Sequence, residues 1–410
     1  MTGPRVSPVI EAKLPLAGIS FNDPAQKLGV KSYTIESDYT KSTDAFQIEV
    51  ASTVPVKLWG LEIQPITISI NGNPVITGRI DQSVITDNIS AMYSGRDYMA
   101  DLVECGVDPS LKLSPGLTIR DAIVLAAGPV GITSVASADE VALINIRSGA
   151  SLGNAPRPRA MEEKLENNKP DPGKGIYAYL QQICVRLGCT MQPNPTDRTM
   201  VVVSEPDYIQ SAAYTVQRSL SPDASAKNNI ITASANRNLS RFPTHCLVTA
   251  KAKPAKKNKF GKPIGKSKPA AFVSDDFNAT VFKDQADVEA LTMRGRIKPG
   301  EPGATDGKLY RLFYMKDDKA KNQTQLENKQ LRLLADRLKE TLLYTVEVMG
   351  HDSLENIMYA PNTIVNVQDE LTQVFEELWV AGVTYKYQEG KGATTELRCW
   401  RKGTYQIGPV

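Results

Sequence analysis

The chain offers two histidines for acid–base work near neutral pH, His245 and His351. His351 lies in Gly350-His351-Asp352-Ser353, which holds the three residue types of a hydrolase triad. Triad geometry comes from residues far apart in a chain, so a turn is the better account of this tetrapeptide. His245 stands beside Cys246 at the start of a strand-like run and reads as structural. Glu162-Glu163 with Glu166 imitates a carboxylate pair, but polar surroundings give no burial to tune a general acid. No phosphate-binding glycine loop, GxSxG elbow or HExxH helix occurs. The five cysteines (Cys105, Cys184, Cys189, Cys246, Cys399) are odd in number and include no CxxC pair. Neither a zinc site nor a disulfide framework follows, and reduced, often buried thiols are expected. No catalytic residue, metal ligand or cofactor site is assigned.

One charged stretch invites an electrostatic role. Lys251, Lys253, Lys256, Lys257, Lys259, Lys262, Lys266 and Lys268 form a run without an acid, interrupted by Pro254, Gly261, Pro263 and Gly265. The net charge of +3 would be −5 without these eight lysines. Such a run can contact a phosphate backbone without reading sequence. Single-strand binding normally adds stacking aromatics, and only Phe260 is present. A solvated or partner-contacting loop is the stronger reading.

A second constellation sits at Tyr93–Cys105. Ser94-Gly95 reads as the end of a strand, because glycine tolerates backbone angles that other residues avoid. Arg96, Asp97 and Asp101 then place one basic and two acidic groups around a corner, with Arg96 expected to pair with Asp97 or Asp101. These three residues are the expected structural junction.

The elements around that corner follow from periodicity. Residues 1 to about 93 read as all-β. Phe46, Ile48 and Val50 alternate with polar residues, as do Ile66, Ile68 and Ile70, and Asn71-Gly72 turns the chain into a strand from Val75 to Ile80. Helical texture follows: Thr118 and Asp121 form a capping box, and Ile176, Leu180, Ile183 and Leu187 share a helical face. Val141–Ile146 and Met200–Val203 read as strands, and 148–175 as an exposed loop. Gln323–Leu343 reads as a helix capped by Thr324 and Glu327. Strands return at Thr345–Met349, Thr363–Val367, Leu378–Tyr387 and Thr394–Trp400, the last two joined through Gly390-Lys391-Gly392. With 410 residues, 41% hydrophobic and 23% charged, the chain suits a soluble assembly of about two to four domains. No apolar run has signal-peptide or membrane-spanning length, so neither secretion by that route nor membrane embedding is expected.

Taken in order, several stretches resemble the baseplate hub proteins of Mu-like contractile-tailed phages. They are Val75-Ile76-Thr77-Gly78-Arg79-Ile80-Asp81, Ser94-Gly95-Arg96-Asp97, Asp101-Leu102-Val103-Glu104-Cys105 and Pro115-Gly116-Leu117-Thr118-Ile119. Gly175–Leu180 with Met200–Val203, Leu331–Tyr344, Thr363–Val367 and Gly392–Leu397 continue the series. The lysine run and residues 148–175 depart from the family pattern.

The resemblance implies an α+β, mainly β fold: two tail-tube-like β-barrel domains, a mixed α/β domain and an insertion. The expected boundaries are 1–97 for the first barrel, 98–205 for the mixed domain, 206–250 with 323–410 for the second barrel and its helix, and 251–322 for the insertion. It implies a non-enzymatic structural hub: a homotrimer whose six barrels form a pseudo-sixfold ring between a hexameric tail tube and a trimeric central spike. Further implied partners are the other baseplate proteins, wedge and tape measure, and DNA passing through the lumen without specific binding. The implied location is the virion tail baseplate, after assembly in the host cytoplasm. A hub of a phage-derived injection particle or secretion device shares these features. A nucleic-acid-binding module built on 251–268 is the alternative from another class. A wall-degrading enzyme has no chain left over to house it.

Overall fold

The computed structural model describes residues 8–15, 19–21, 28–52, 64–86, 90–108, 110–111, 116–137, 173–186, 189–206, 211–221, 228–238, 337 and 339–403. It also gives the backbone of 245–250, 256–257, 263–264, 271–273 and 312–317. The chain divides into a larger unit, Met1–Cys184 with Gly188–Ala235 and Tyr344–Lys402, and a smaller one, Val185–Leu187 with Asn236–Leu343 and Gly403–Val410.

In the larger unit, alternating sequence becomes strands. These are β1 (Ile10–Leu14), β2 (Ile19–Phe21), β3 (Leu28–Asp38), β4 (Ala45–Ser52), β5 (Pro65–Ile70), β6 (Asn73–Thr86) and β7 (Ser90–Asp97). The β5–β6 turn places Asn71 at φ 51° and Gly72 at φ 77°, the left-handed pair that a tight two-residue hairpin requires. Helix α1 (Met99–Glu104) follows β7 at once, and α2 (Ile119–Ala127) leads to β8 (Ser134–Ser137). Helix α3 (Ile176–Arg186), β9 (Thr190–Pro193) and β10 (Met200–Ser204) complete a small mixed layer, with β8 parallel and β9 antiparallel to β10. Thr118 caps α2: its hydroxyl accepts the Asp121 amide while the Asp121 carboxylate accepts the Thr118 amide, the box expected from sequence. The strand after α2 is β8, which the sequence reading had not marked; Val141–Ile146 lies outside the described residues.

Beyond β11 (Tyr214–Arg218) and β12 (Ile230–Asn236), the smaller unit contributes β13 (His245–Ala250), β14 (Lys256–Lys257), β15 (Pro263–Ile264), β16 (Ala271–Val273) and β17 (Leu312–Asp317). There β13 lies between antiparallel β16 and parallel β17, and β14 pairs with β15. The helix expected at Gln323–Leu343 falls almost wholly outside the described residues. The last strands are β18 (Leu343–Met349), β19 (Ile364–Asp369), β20 (Val374–Gln388) and β21 (Gly392–Arg401). Gly390 and Gly392 take φ 82° and 92° in the turn between β20 and β21.

The mainly β, α+β class is as expected, but two separate barrels are not what the strands form. Among the described residues one 13-stranded sheet runs β12-β18-β21-β20-β3-β4-β7-β6-β5-β1-β2, with β19 and β11 branching from β20. The join is β3 against β20, antiparallel from Gly382↔Asp38 to Gln388↔Ser32. Period-two patterning gives this sheet two unlike faces. Tyr33, Ile35, Phe46, Ile48, Tyr93 and Tyr385 are buried on one. On the other, Gln82, Ser94, Gln47, Thr34, Lys386 and Thr394 stand in a cross-strand row that continues through the join, and none is buried.

Candidate functional site

The junction is built on β6, β7 and α1. Arg79 and Arg96 lie directly opposite each other, flanked by Gly78↔Asp97 and Ile80↔Gly95. A Cβ on Gly78 would sit 2.0 Å from the Arg96 carbonyl oxygen, and one on Gly95 2.0 Å from that of Arg79. Gly95 therefore does not end the strand. It permits a close approach in the middle of a pair that runs on to Asp97. Two like charges directly across a ladder repel. A register shift between Ile80 and Gln82 leaves Asp81 as the extra residue. Its carboxylate bridges the arginines, taking Arg79 Nε at 2.9 Å and Arg96 Nε at 2.7 Å.

Helix α1 completes the cluster. Glu104 takes Arg79 Nη2 at 2.9 Å and Arg96 Nη2 at 2.5 Å, and Asp101 takes Arg79 Nη1. The expected Arg96 pairing with Asp97 or Asp101 is therefore corrected. Successive strand residues point to opposite faces, so Asp97 turns inward while Arg96 turns outward, and Arg79 occupies Asp101. The hydrogen bonds that Arg96 donates to Asp81 and Glu104 raise its guanidinium further above its usual range. The Arg96 bond lowers Glu104, whereas partial burial raises Asp101 against the pull of Arg79. The cluster clamps a helix to a hairpin; it presents no nucleophile.

Asp97 is 1% exposed. Its carboxylate accepts the amides of Asp44 at 2.8 Å and Met99 at 2.9 Å. Burial and the neighbouring Asp44 charge push it well above the usual carboxylate range. Around it, Tyr98 donates to the Met200 carbonyl at 2.7 Å, and Tyr39 and Ser204 share a hydroxyl bond of 2.9 Å. These bonds fasten β10 of the mixed layer to the large sheet.

A second buried carboxylate ends β19. Asp369 is 0% exposed and takes Arg218 in a two-pronged bond of 2.9 and 2.8 Å, with Tyr344 at 3.0 Å and Thr372 at 2.6 Å. Burial raises its pKa, but the donors, Arg218 first, outweigh it and hold the group below its usual value. Neither Asp369 nor Arg218 was singled out from sequence; they lie 151 residues apart.

The other candidates separate. His351 lies in a bend, as expected, and is buried: Nε2 meets the Tyr33 hydroxyl at 2.7 Å and Nδ1 meets Thr395 Oγ1 at 2.9 Å. Burial lowers its pKa to about 4, leaving a neutral packing residue at neutral pH. Asp352 bonds Asn71 and Ser353 accepts backbone amides, so the three do not converge. His245 begins β13, as expected. Cys184, Cys189 and Cys399 are buried and free, Cys105 is free and exposed, and Cys246 lacks a described side chain. Lys256 and Lys257 pair as backbone with Ile264 and Pro263. Lys251, Lys253, Lys259, Lys262, Lys266 and Lys268, with Glu162, Glu163 and Glu166, lie outside the described residues. Among the described residues no group of three or more His, Cys, Asp or Glu is placed to hold a metal ion, and no helix is long and apolar enough to cross a membrane.

No protein-family model matches the chain, and no curated protein sequence matches it. Solved structures do. The 43 kDa tail protein of prophage MuSo2 from Shewanella oneidensis superposes with a TM-score of 0.67 at 16% identity, over 97% of this chain and 99% of that one. The tail protein from Neisseria meningitidis MC58 gives 0.65 at 18% identity, over 98% of both chains. The prophage tail protein gp18 from Listeria monocytogenes EGD-e gives 0.50 at 13% identity, over 95% and 94%. The resemblance read from sequence is thus borne out at the level of fold, which this chain shares with phage tail proteins along nearly its whole length.

Proposed function

We propose that the protein is a structural baseplate hub of a contractile phage tail, without catalytic activity. The observation that carries this reading is a tail-protein fold matched over 97% of this chain and 99% of its counterpart. The hub is a homotrimer in which each chain supplies two tube-like halves, giving a pseudo-sixfold ring. It joins the hexameric tail tube to the trimeric central spike and contacts wedge and tape-measure proteins. The continuous sheet supports this arrangement, because β3 and β20 join the halves into one wall. The solvated row from Gln82 through Gln47 and Thr34 to Thr394 supports a channel face for passing DNA. It has no aromatic platform, and its one cation, Lys386, is paired with Glu396 at 2.5 Å.

Light scattering on the purified protein, alone and with its spike partner, tests the assembly. Three times the chain mass, with rings in electron micrographs, is expected. A monomer under both conditions overturns the reading. Within rings, Thr34→Cys in a Cys105→Ser background should react with a small maleimide and resist a bulky polymer-linked one. Equal reaction with both places that face outside.

A further inference from the structure

Besides Asp38, which Arg398 pairs, the corner where β3, β4, β7 and α1 meet buries two carboxylates and gives neither a cation. Asp44 is 8% exposed and Asp97 1%. Asp44 Oδ1 accepts the Asp38 amide at 2.9 Å, and Oδ2 accepts the Ser37 hydroxyl at 2.8 Å. The cations nearby are committed elsewhere: Arg398 donates to Asp38 and Thr40, and Lys41 to Glu36. The titratable groups that face Asp44 are Asp38 and Glu36 of β3, Asp97 of β7, and the buried phenols of Tyr98, between β7 and α1, and Tyr385 of β20. None of them can neutralise it.

We propose that Asp44 is a proton-binding site: the corner takes up one proton on Asp44 Oδ2 and donates it to Ser37 Oγ. The two acids differ in what their partners can do. A serine hydroxyl both donates and accepts, and it rotates to suit. When Oδ2 is protonated, its bond to Ser37 reverses and is kept. Asp97 has no such option, because its oxygens face backbone amides, which only donate. A proton there would break a bond, so Asp97 stays the acceptor. Burial supports the assignment by pushing Asp44 up to about 7 against the opposing bonds from Asp38 and Ser37.

The consequence is mechanical. Asp97 ties the segment before β4, through the Asp44 amide, to the start of α1, through the Met99 amide. A proton on Asp44 removes a like charge from beside that tie. The folded corner then binds more protons than the unfolded chain, so its stability falls as pH rises. The junction is tightest in mild acid and loosens as pH rises toward neutrality.

Thermal unfolding of the full-length protein across about pH 4 to about pH 8, at fixed ionic strength, tests this. Asp44→Asn mimics the protonated form: its amide donates to Ser37 while its carbonyl still accepts from Asp38. The native melting temperature should fall by several degrees over that range. The Asn variant should match the native chain at the acidic end and stay level. Ser37→Ala removes a hydroxyl bond that favours the ionised carboxylate and should move the decline to higher pH. Parallel native and Asn profiles overturn the proposal, as does an Asn variant that is unfolded at the acidic end. A decline left in place by Ser37→Ala overturns it as well.

Discussion

Of the described strand ends that bury an aspartate, those of β7 and β19 settle its charge by opposite means. At the end of β19, Asp369 meets a guanidinium and two hydroxyls, and its proton is held off. At the end of β7, Asp97 meets only backbone amides and lies beside another acid. The first arrangement fixes a charge by matching it. The second leaves a charge that a proton can relieve. The backbones differ in the same sense. The β7 end is crowded, and its glycines let two carbonyls approach where no Cβ fits. The β19–β20 turn instead places Gln373 at φ 55° and is held by side chains, Thr372 among them.

The largest expected effect breaks the crowded end. Gly95→Ala should cost on the order of 4 kcal/mol or more in urea unfolding, because the added carbon meets backbone and the Phe46 ring. Arg218→Ala comes next. It leaves Asp369 buried and unpaired, at a cost of about 3–5 kcal/mol, and Asp369→Asn on the same background should recover part of the loss. The pH profile then sharpens the contrast. Asp369, held low, contributes stability that is full above about pH 4 and is lost as pH falls below it. Asp44, held high, contributes stability that is full below about pH 4 and is lost as pH rises through about 7. Melting temperature should therefore decline on both sides of a mildly acidic optimum, with Asp369→Asn flattening the acid arm alone. The smallest effect is at the surface. Arg96→Ala should cost about 0.5–1 kcal/mol, less at high salt, since Arg79 still bridges Asp81, Asp101 and Glu104. A larger loss would mean that the two arginines act as one unit, which an Arg79→Ala/Arg96→Ala cycle would measure.

What the sequence made legible was local. The Thr118–Asp121 box spans three residues, and the β5–β6 and β20–β21 hairpins announce themselves by alternation around Asn71-Gly72 and Gly390. Arg96 was singled out, but its partners were not, because they depend on which strand lies opposite and on one extra residue, Asp81, that shifts the register. Asp97 was read as a partner of Arg96 because nothing in its neighbours reveals which face of β7 is covered. Arg218 and Asp369 were invisible for a similar reason: an isolated Arg and an isolated Asp carry no pattern until β11 is laid beside β19. The overall resemblance survived because it rested on the order of many short motifs, whereas the two-barrel division did not anticipate that β3 and β20 would join.

That join has a consequence for how the chain is made. Residues 32–38 wait for residues 382–388, and Asp38 for an arginine 360 positions later. Synthesis proceeds at roughly 5–20 residues per second, so β3 spends on the order of tens of seconds as an unpaired edge. Bare edges recruit other strands. The polar row that β3 carries, with Ser32, Thr34 and Glu36 on its open face, then acts before the protein is folded, by making the waiting strand a poor template for its neighbours on the same message.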